Sequence, residues 1–207
     1  MNPFPTIGAL IDHLPFNYAK HRYVDLPLLL KWAKIPRGAS VLEVGCGDGK
    51  LTRHLAKIIP CKTITGVDVN HAAITRAESL SEGHTKTIFQ VGDVCRLPFD
   101  AGSFDAVIVL DLLHHIPNWR KGLMEVRRVL KNGGRLLVKE YSIETFTYPG
   151  IGSLFQAMFQ HSYDTMFDQI EFLTYLKKHG FEMTYQNDST FSLLLVGIKR
   201  ESKRNLQ

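Results

Sequence analysis

The stretch Val41-Leu42-Glu43-Val44-Gly45-Cys46-Gly47-Asp48-Gly49 decides how this chain is read. A short apolar run ends in three glycines at alternate positions, and a helical pattern follows from Leu51. That order is strand, tight turn, helix, with the turn stripped of Cβ atoms so that a ligand can approach the backbone. Its charge narrows the ligand. A phosphate-binding turn wants donors and cations, whereas this one has Glu43 before the glycines and Asp48 among them. The implied ligand is small, with polar or cationic parts, and is not a polyphosphate.

Outward from the turn, strands and helices alternate. Strands are predicted near 40–45, 63–68, 86–91, 104–110 and 134–140, and helices near 50–59, 70–81 and 118–130. Ala106-Val107-Ile108-Val109-Leu110 is apolar throughout, as a strand buried on both faces of a parallel sheet should be. Asn70 is placed to cap the second of these helices, and Asn132-Gly133-Gly134 to stop the third. The end of the chain differs. A helix near 166–179 closes at Gly180, and strands near 181–186 and 190–198 flank Asn187-Asp188-Ser189, a connection short enough for an antiparallel hairpin. The expected fold is α/β and doubly wound, with a mostly parallel seven-stranded sheet and an antiparallel last strand. Residues 1–207 are expected to form one domain. It comprises an N-terminal helical cap (1–35), a ligand-binding core (36–140) and a segment with a terminal hairpin (141–207).

Composition sets outer bounds. The chain has 207 residues, 44% apolar and 22% charged, ordinary for a globular domain with its own core. No apolar run reaches the ~20 residues of a membrane span. No signal-peptide pattern is visible after Met1, and three widely spaced cysteines (Cys46, Cys61, Cys95) fit neither a disulfide framework nor a zinc site, so a cytoplasmic protein without a bound metal is expected. The net charge is +5 and the pI about 9.1. Arg120, Lys121, Arg127, Arg128 and Lys131 supply much of the excess, with a basic tail through Lys203 and Arg204. A nucleic-acid surface stays open on that ground. A solvated helix face is favoured, because no aromatic residues interleave with the charges.

In open α/β sheets ligands bind beyond the carboxyl ends of the strands. Acids recur at those ends: Glu43, Asp68, Asp93, Asp111 and Glu140. Together they predict an electronegative rim. Asp68 lies nineteen positions after Gly49, where an acid can accept from a ribose diol. A dinucleotide site shares that feature. Its fingerprint, however, needs a glycine at position 50, which is Lys50, and Asp48 would face the pyrophosphate, so a dinucleotide is discounted.

These motifs resemble those of the class I S-adenosylmethionine-dependent methyltransferases over roughly residues 36–140. The carriers are Val41 to Gly49, Gly66-Val67-Asp68, Gln90 to Phe99, Ser103 to Ile116, and Arg128 to Leu136, in the family's order. The small-molecule branch that includes ubiquinone- and menaquinone-type enzymes is the nearest in flavour. The resemblance implies S-adenosyl-L-methionine as cofactor and a small-molecule methyl acceptor. Gly45 and Gly47 would meet the cofactor's methionine portion, with Glu43 bracing the turn. Asp68 would hold the ribose hydroxyls, Val69 would pack on the adenine, Asp93 and the Val94 N–H would bond its edge, and Leu110 would border the amino-acid end. The Asn/Asp-Pro-Pro-aromatic signature of amino-group methylation is absent, since Leu110-Asp111-Leu112-Leu113 stands in its place.

A base is needed only for an acceptor protonated at neutral pH, and His114 and His115 are the candidate catalytic residues. The aromatic-rich segment 141–165 is expected to cap an apolar or aromatic acceptor. Two alternatives remain: an RNA or protein methyltransferase using the same cofactor, and a non-catalytic cofactor-binding partner. The sequence does not fix the oligomeric state.

Overall fold

The computed structural model describes residues 24–83, 85–147, 149–150, 166–189 and 192–201. Most of the expected N-terminal cap and residues 151–165 of the expected acceptor segment lie outside the described residues, as do Lys203 and Arg204. The elements run α1 (Leu26–Ala33), β1 (Ser40–Val44), α2 (Lys50–Ile58), β2 (Thr63–Asp68), α3 (His71–Ser79), β3 (Thr87–Val91) and β4 (Phe104–Leu110). After a 3-10 turn at Leu113–His115 come α4 (Trp119–Val129), β5 (Leu130–Glu140), α5 (Ile143–Thr147), α6 (Gln169–Lys178), β6 (Phe181–Ser189) and β7 (Ser192–Lys199).

The seven strands form one sheet in the order β3-β2-β1-β4-β5-β7-β6. Pairing is parallel from β3 through β5, and β7 runs antiparallel to both β5 and β6. Period-two alternation makes the two cores. Leu42, Val107, Val109, Leu136 and Val138 face a cluster with α4 and α6, while Val41, Ala106, Ile108 and Leu137 face α1 and α2. Each such fully buried Leu, Ile or Val side chain contributes ~1.5–3 kcal/mol. Trp119 anchors the first cluster, its ring 5.2 Å from that of Phe167 and 5.5 Å from that of Phe172. β1 and β4 are neighbours, so the strand order reverses there and opens a crevice at their carboxyl ends.

Asn70 caps α3, its side chain accepting from the Ala72 and Ala73 N–H groups. Two expected turns move. Helix α4 ends at Val129 before reaching Asn132-Gly133-Gly134, and that triplet lies in an irregularity of β5, between the pairs Phe104↔Leu130 and Ala106↔Arg135. Gly134 is tight there, since a Cβ on it would stand 2.8 Å from the Lys131 carbonyl oxygen. Asn187-Asp188-Ser189 belongs to β6, whose pairing with β7 continues to Ser189↔Ser192. Arg120, Lys121 and Lys131 are exposed, as a solvated face should be, but most cations of α4 and the start of β5 are partnered. Arg128 bonds Glu125 and the Leu97 and Phe99 carbonyls, Arg127 the His179 and Arg200 carbonyls, Lys131 pairs with Asp105, and Arg120 with Glu171. No helix among the described residues is long and apolar enough to cross a membrane.

Candidate cofactor site

The three glycines of the β1–α2 turn all have positive φ, 76°, 53° and 71° at Gly45, Gly47 and Gly49. Their surroundings differ. A Cβ on Gly49 would lie 2.4 Å from the Phe89 ring, and one on Gly45 2.9 Å from the Leu112 side chain. Only Gly47 faces open space. Gly49 is therefore a packing requirement of β3 against the turn, and Gly47 is where a ligand can approach the backbone. The Gly45 and Cys46 N–H groups donate to the Val67 carbonyl, the Gly47 N–H to Asp68 Oδ2 at 2.8 Å, and the Gly49 N–H to the Cys46 carbonyl. Donors used internally do not serve a polyphosphate.

A cavity of about 400 Å³ lies beside this turn, within the range for small-molecule sites. Of the predicted ligand-binding residues, Gly45, Asp68, Val69, Asp93 and Val94 line it. Asp68 and Asp93, at the ends of β2 and β3, share one local device. Each carboxylate accepts from the N–H two residues on, that of Asn70 at 2.9 Å and that of Cys95 at 2.8 Å. A carboxylate carries about four acceptor sites, so both keep capacity for a ligand. Val69 is 72% exposed, a large apolar side chain left bare at the cavity's lip.

Glu43, Gly47 and Leu110 do not line the cavity. Glu43 is buried beneath the turn and accepts from the Thr52 hydroxyl at 2.5 Å, tying β1 to α2. Leu110 packs on the α1–α2 cluster. The opposite wall comes instead from Leu112, Ile116, Pro117 and Asn118, which the sequence reading missed. Leu112 is tied to the sheet by Glu140, fully buried, which accepts from the Leu112 and Leu113 N–H groups at 2.9 and 2.7 Å. The other Glu140 oxygen meets His114 Nδ1 at 2.7 Å.

The five-acid rim thus divides. Asp68 and Asp93 face the cavity, while Glu43, Asp111 and Glu140 are engaged within the protein. Asp111, in a left-handed conformation, pairs with the fully buried Lys139, whose ammonium also lies 3.3 Å from the centre of the Tyr141 ring. Asp111, His114 and Glu140 bring ligand atoms within 4.8 Å of one another, and the cation that Asp111 meets is Lys139. His114 is buried against Glu140, whereas His115 is exposed, its ring 4.0 Å from that of His114. Neither histidine lines the cavity. The Cys46 thiol is pushed well up by burial, then by the Glu43, Asp68 and Asp48 carboxylates. Burial and Asp93 raise that of Cys95 in the cavity wall. Both stay protonated at neutral pH and neither is an activated nucleophile.

A doubly wound sheet with an antiparallel seventh strand, and a cavity between a glycine turn and two strand-end carboxylates, define a nucleoside-binding α/β protein. The family model for the methyltransferase domain matches residues 42–138. A demethylmenaquinone methyltransferase of Thermotoga maritima is 33% identical over 168 residues, covering 70% of this chain and 71% of the relative. A ubiquinone biosynthesis O-methyltransferase of Coxiella burnetii is 32% identical over 121 residues, 58% of this chain and 48% of the relative. Of some other curated relatives the chain spans between 29% and 43% of their length. The solved phosphoethanolamine N-methyltransferase 2 of Haemonchus contortus, in complex with S-adenosyl-L-methionine, has the same fold at 16% identity. Its TM-score is 0.73, with 97% of this chain and 61% of that one covered. The chain belongs to the class I S-adenosylmethionine-dependent methyltransferase family. S-adenosylmethionine is that family's cofactor, and the donor set here fits it: carboxylates for hydroxyls and amines, a bare apolar lip for a flat ring, and, among the described residues, no cation lining the cavity.

Proposed function

We propose that this chain transfers a methyl group from S-adenosylmethionine to a small apolar or aromatic acceptor. The carrying observation is the cavity itself, mainly apolar, with Asp68 and Asp93 as its charged side chains. The bound cofactor supplies an electrophilic methyl group on a sulfonium. The protein's work is then alignment and exclusion of water. Asp68 accepts from the ribose hydroxyls and Asp93 from the adenine amino group. Val69 covers a face of the ring, the Val94 N–H meets its edge, and the Gly45–Gly47 backbone takes the methionine end. Leu112, Ile116 and Pro117 keep the opposite side dry. Relatives named for quinone-pathway methylation support an aromatic acceptor.

His114 is buried against Glu140 and His115 is the exposed one of the pair, so we assign any proton removed from the acceptor to His115. His115→Asn should lower turnover of a phenolic acceptor below the acceptor's own pKa, and an unchanged rate there removes the assignment. For the reading as a whole, labelled S-adenosylmethionine is offered with hydroquinones and phenols, with tRNA, and with basic peptides. Label in the small aromatics is expected. Label confined to tRNA or peptides, or cofactor binding with no transfer at all, sinks it.

A further inference from the structure

A second concavity lies at the far end of β3. It holds about 200 Å³ between α2 and the segment joining α3 to β3, and its charged lining side chains are Arg53, Lys57 and Lys86. Among the described residues no carboxylate lines it. Thr85 and Gly83 complete its rim, Gly83 with φ +81° and nothing within 4 Å of where a Cβ would stand. We propose that this is a binding site for a phosphate-class anion, separate from the cofactor cavity by the five residues of β3, about 17 Å of strand.

Three observations carry it. First, two of these cations are unpartnered. Arg120, Arg127, Arg128 and Lys139 meet carbonyls or carboxylates, while the Lys57 and Lys86 side chains have no hydrogen bond or ion pair among the described residues. Three like charges around one small hollow repel each other, and an anion between them removes that cost. Second, Arg53 is held in place. Its Nη1 donates to the Asp48 carbonyl at 2.8 Å and reaches Ser81 Oγ at 3.5 Å, leaving the rest of the guanidinium fork for a ligand. Third, the size and lining select the ligand. The hollow takes one tetrahedral group, and among the described residues no aromatic side chain lines it for a base to stack on, so it suits a single phosphate and not a nucleic-acid track. The source is inorganic phosphate or the terminal group of a small phosphomonoester.

The test is titration of the full chain with inorganic phosphate, with phenyl phosphate and with a single-stranded RNA oligonucleotide, at ionic strength fixed by sodium chloride. Saturable phosphate binding is expected, weakened tenfold or more in Lys57→Gln/Lys86→Gln. Because both lysines are exposed, that double variant should melt with the native chain. Arg53→Lys, which keeps the charge and loses the fork, should also weaken binding. Phenyl phosphate binding more tightly than inorganic phosphate assigns the organic source, and weaker binding assigns the free ion. Absence of saturable phosphate binding, equal affinity in the double variant, or RNA affinity that grows with oligonucleotide length overturns the proposal.

Discussion

On one side of the cofactor cavity, Asp68 and Asp93 each fold back onto an N–H two residues along the chain. On the other, Glu140 reaches across 28 positions to hold the Leu112 N–H. The first wall is assembled by its own strand ends, and the second is hung from a neighbouring strand. A locally built wall should survive damage to any one residue. A hung wall should fail when its anchor goes.

The largest effect is therefore expected at Glu140. Its carboxylate is fully buried and serves Leu112, Leu113 and His114. Glu140→Ala would leave those groups unpaired in the interior, and stability should fall by about 3–5 kcal/mol in urea unfolding. Glu140→Gln keeps the shape and one acceptor and should cost less. If the alanine variant unfolds at the native denaturant midpoint, the wall does not hang on Glu140.

The glycine turn refines the contrast, because two residues of one motif should respond differently. Gly49→Ala combines a positive φ with a clash against Phe89 and should cost about 3 kcal/mol of stability. Gly47→Ala meets nothing and should cost ~1–2 kcal/mol from backbone strain alone. Its loss should appear in titrations with S-adenosylmethionine. Equal stability losses at the two positions would erase the distinction between packing glycine and ligand glycine.

Asp68→Ala should weaken cofactor affinity by about 1.5–3 kcal/mol, as for a hydrogen bond to a charged group. Asp68 also holds the Gly47 N–H, so Asp68→Asn, which retains an acceptor, should lose less. Affinity unchanged in the alanine variant would remove the ribose assignment.

This contrast also explains what could be read from the chain before its structure. The alternating strands and helices, the Asn70 cap and the cavity positions of Asp68 and Asp93 follow from local signals: short apolar runs, a capping side chain and an acid at or just past a strand end. Leu112 carries no such signal, because what holds its backbone is Glu140 on another strand. Glu43 and Asp111 looked like Asp68 in sequence, and only tertiary partners, Thr52 and Lys139, distinguish them. The Gly133-Gly134 pair was legible as a break and not as a bulge, since a register shift depends on the partner strand.

The smallest effect belongs to the ties behind the local wall. Glu125 accepts from the Leu97 N–H at 2.9 Å and pairs with Arg128, which also holds the Leu97 and Phe99 carbonyls. The Arg128 hydrogen bond, against some desolvation, keeps the Glu125 carboxyl below its ordinary range. A carboxyl depressed in the folded state adds stability that is present above its unfolded pKa, about 4.3. That stability is lost as pH falls through the lower folded value. Chemical denaturation followed from pH 6 downward should show stability falling below roughly pH 4.3, less steeply in Glu125→Gln. The group is partly solvated, so the difference should be small and should shrink with added salt. Identical acid slopes in the two proteins would mean that the strand-end wall stands without this tie.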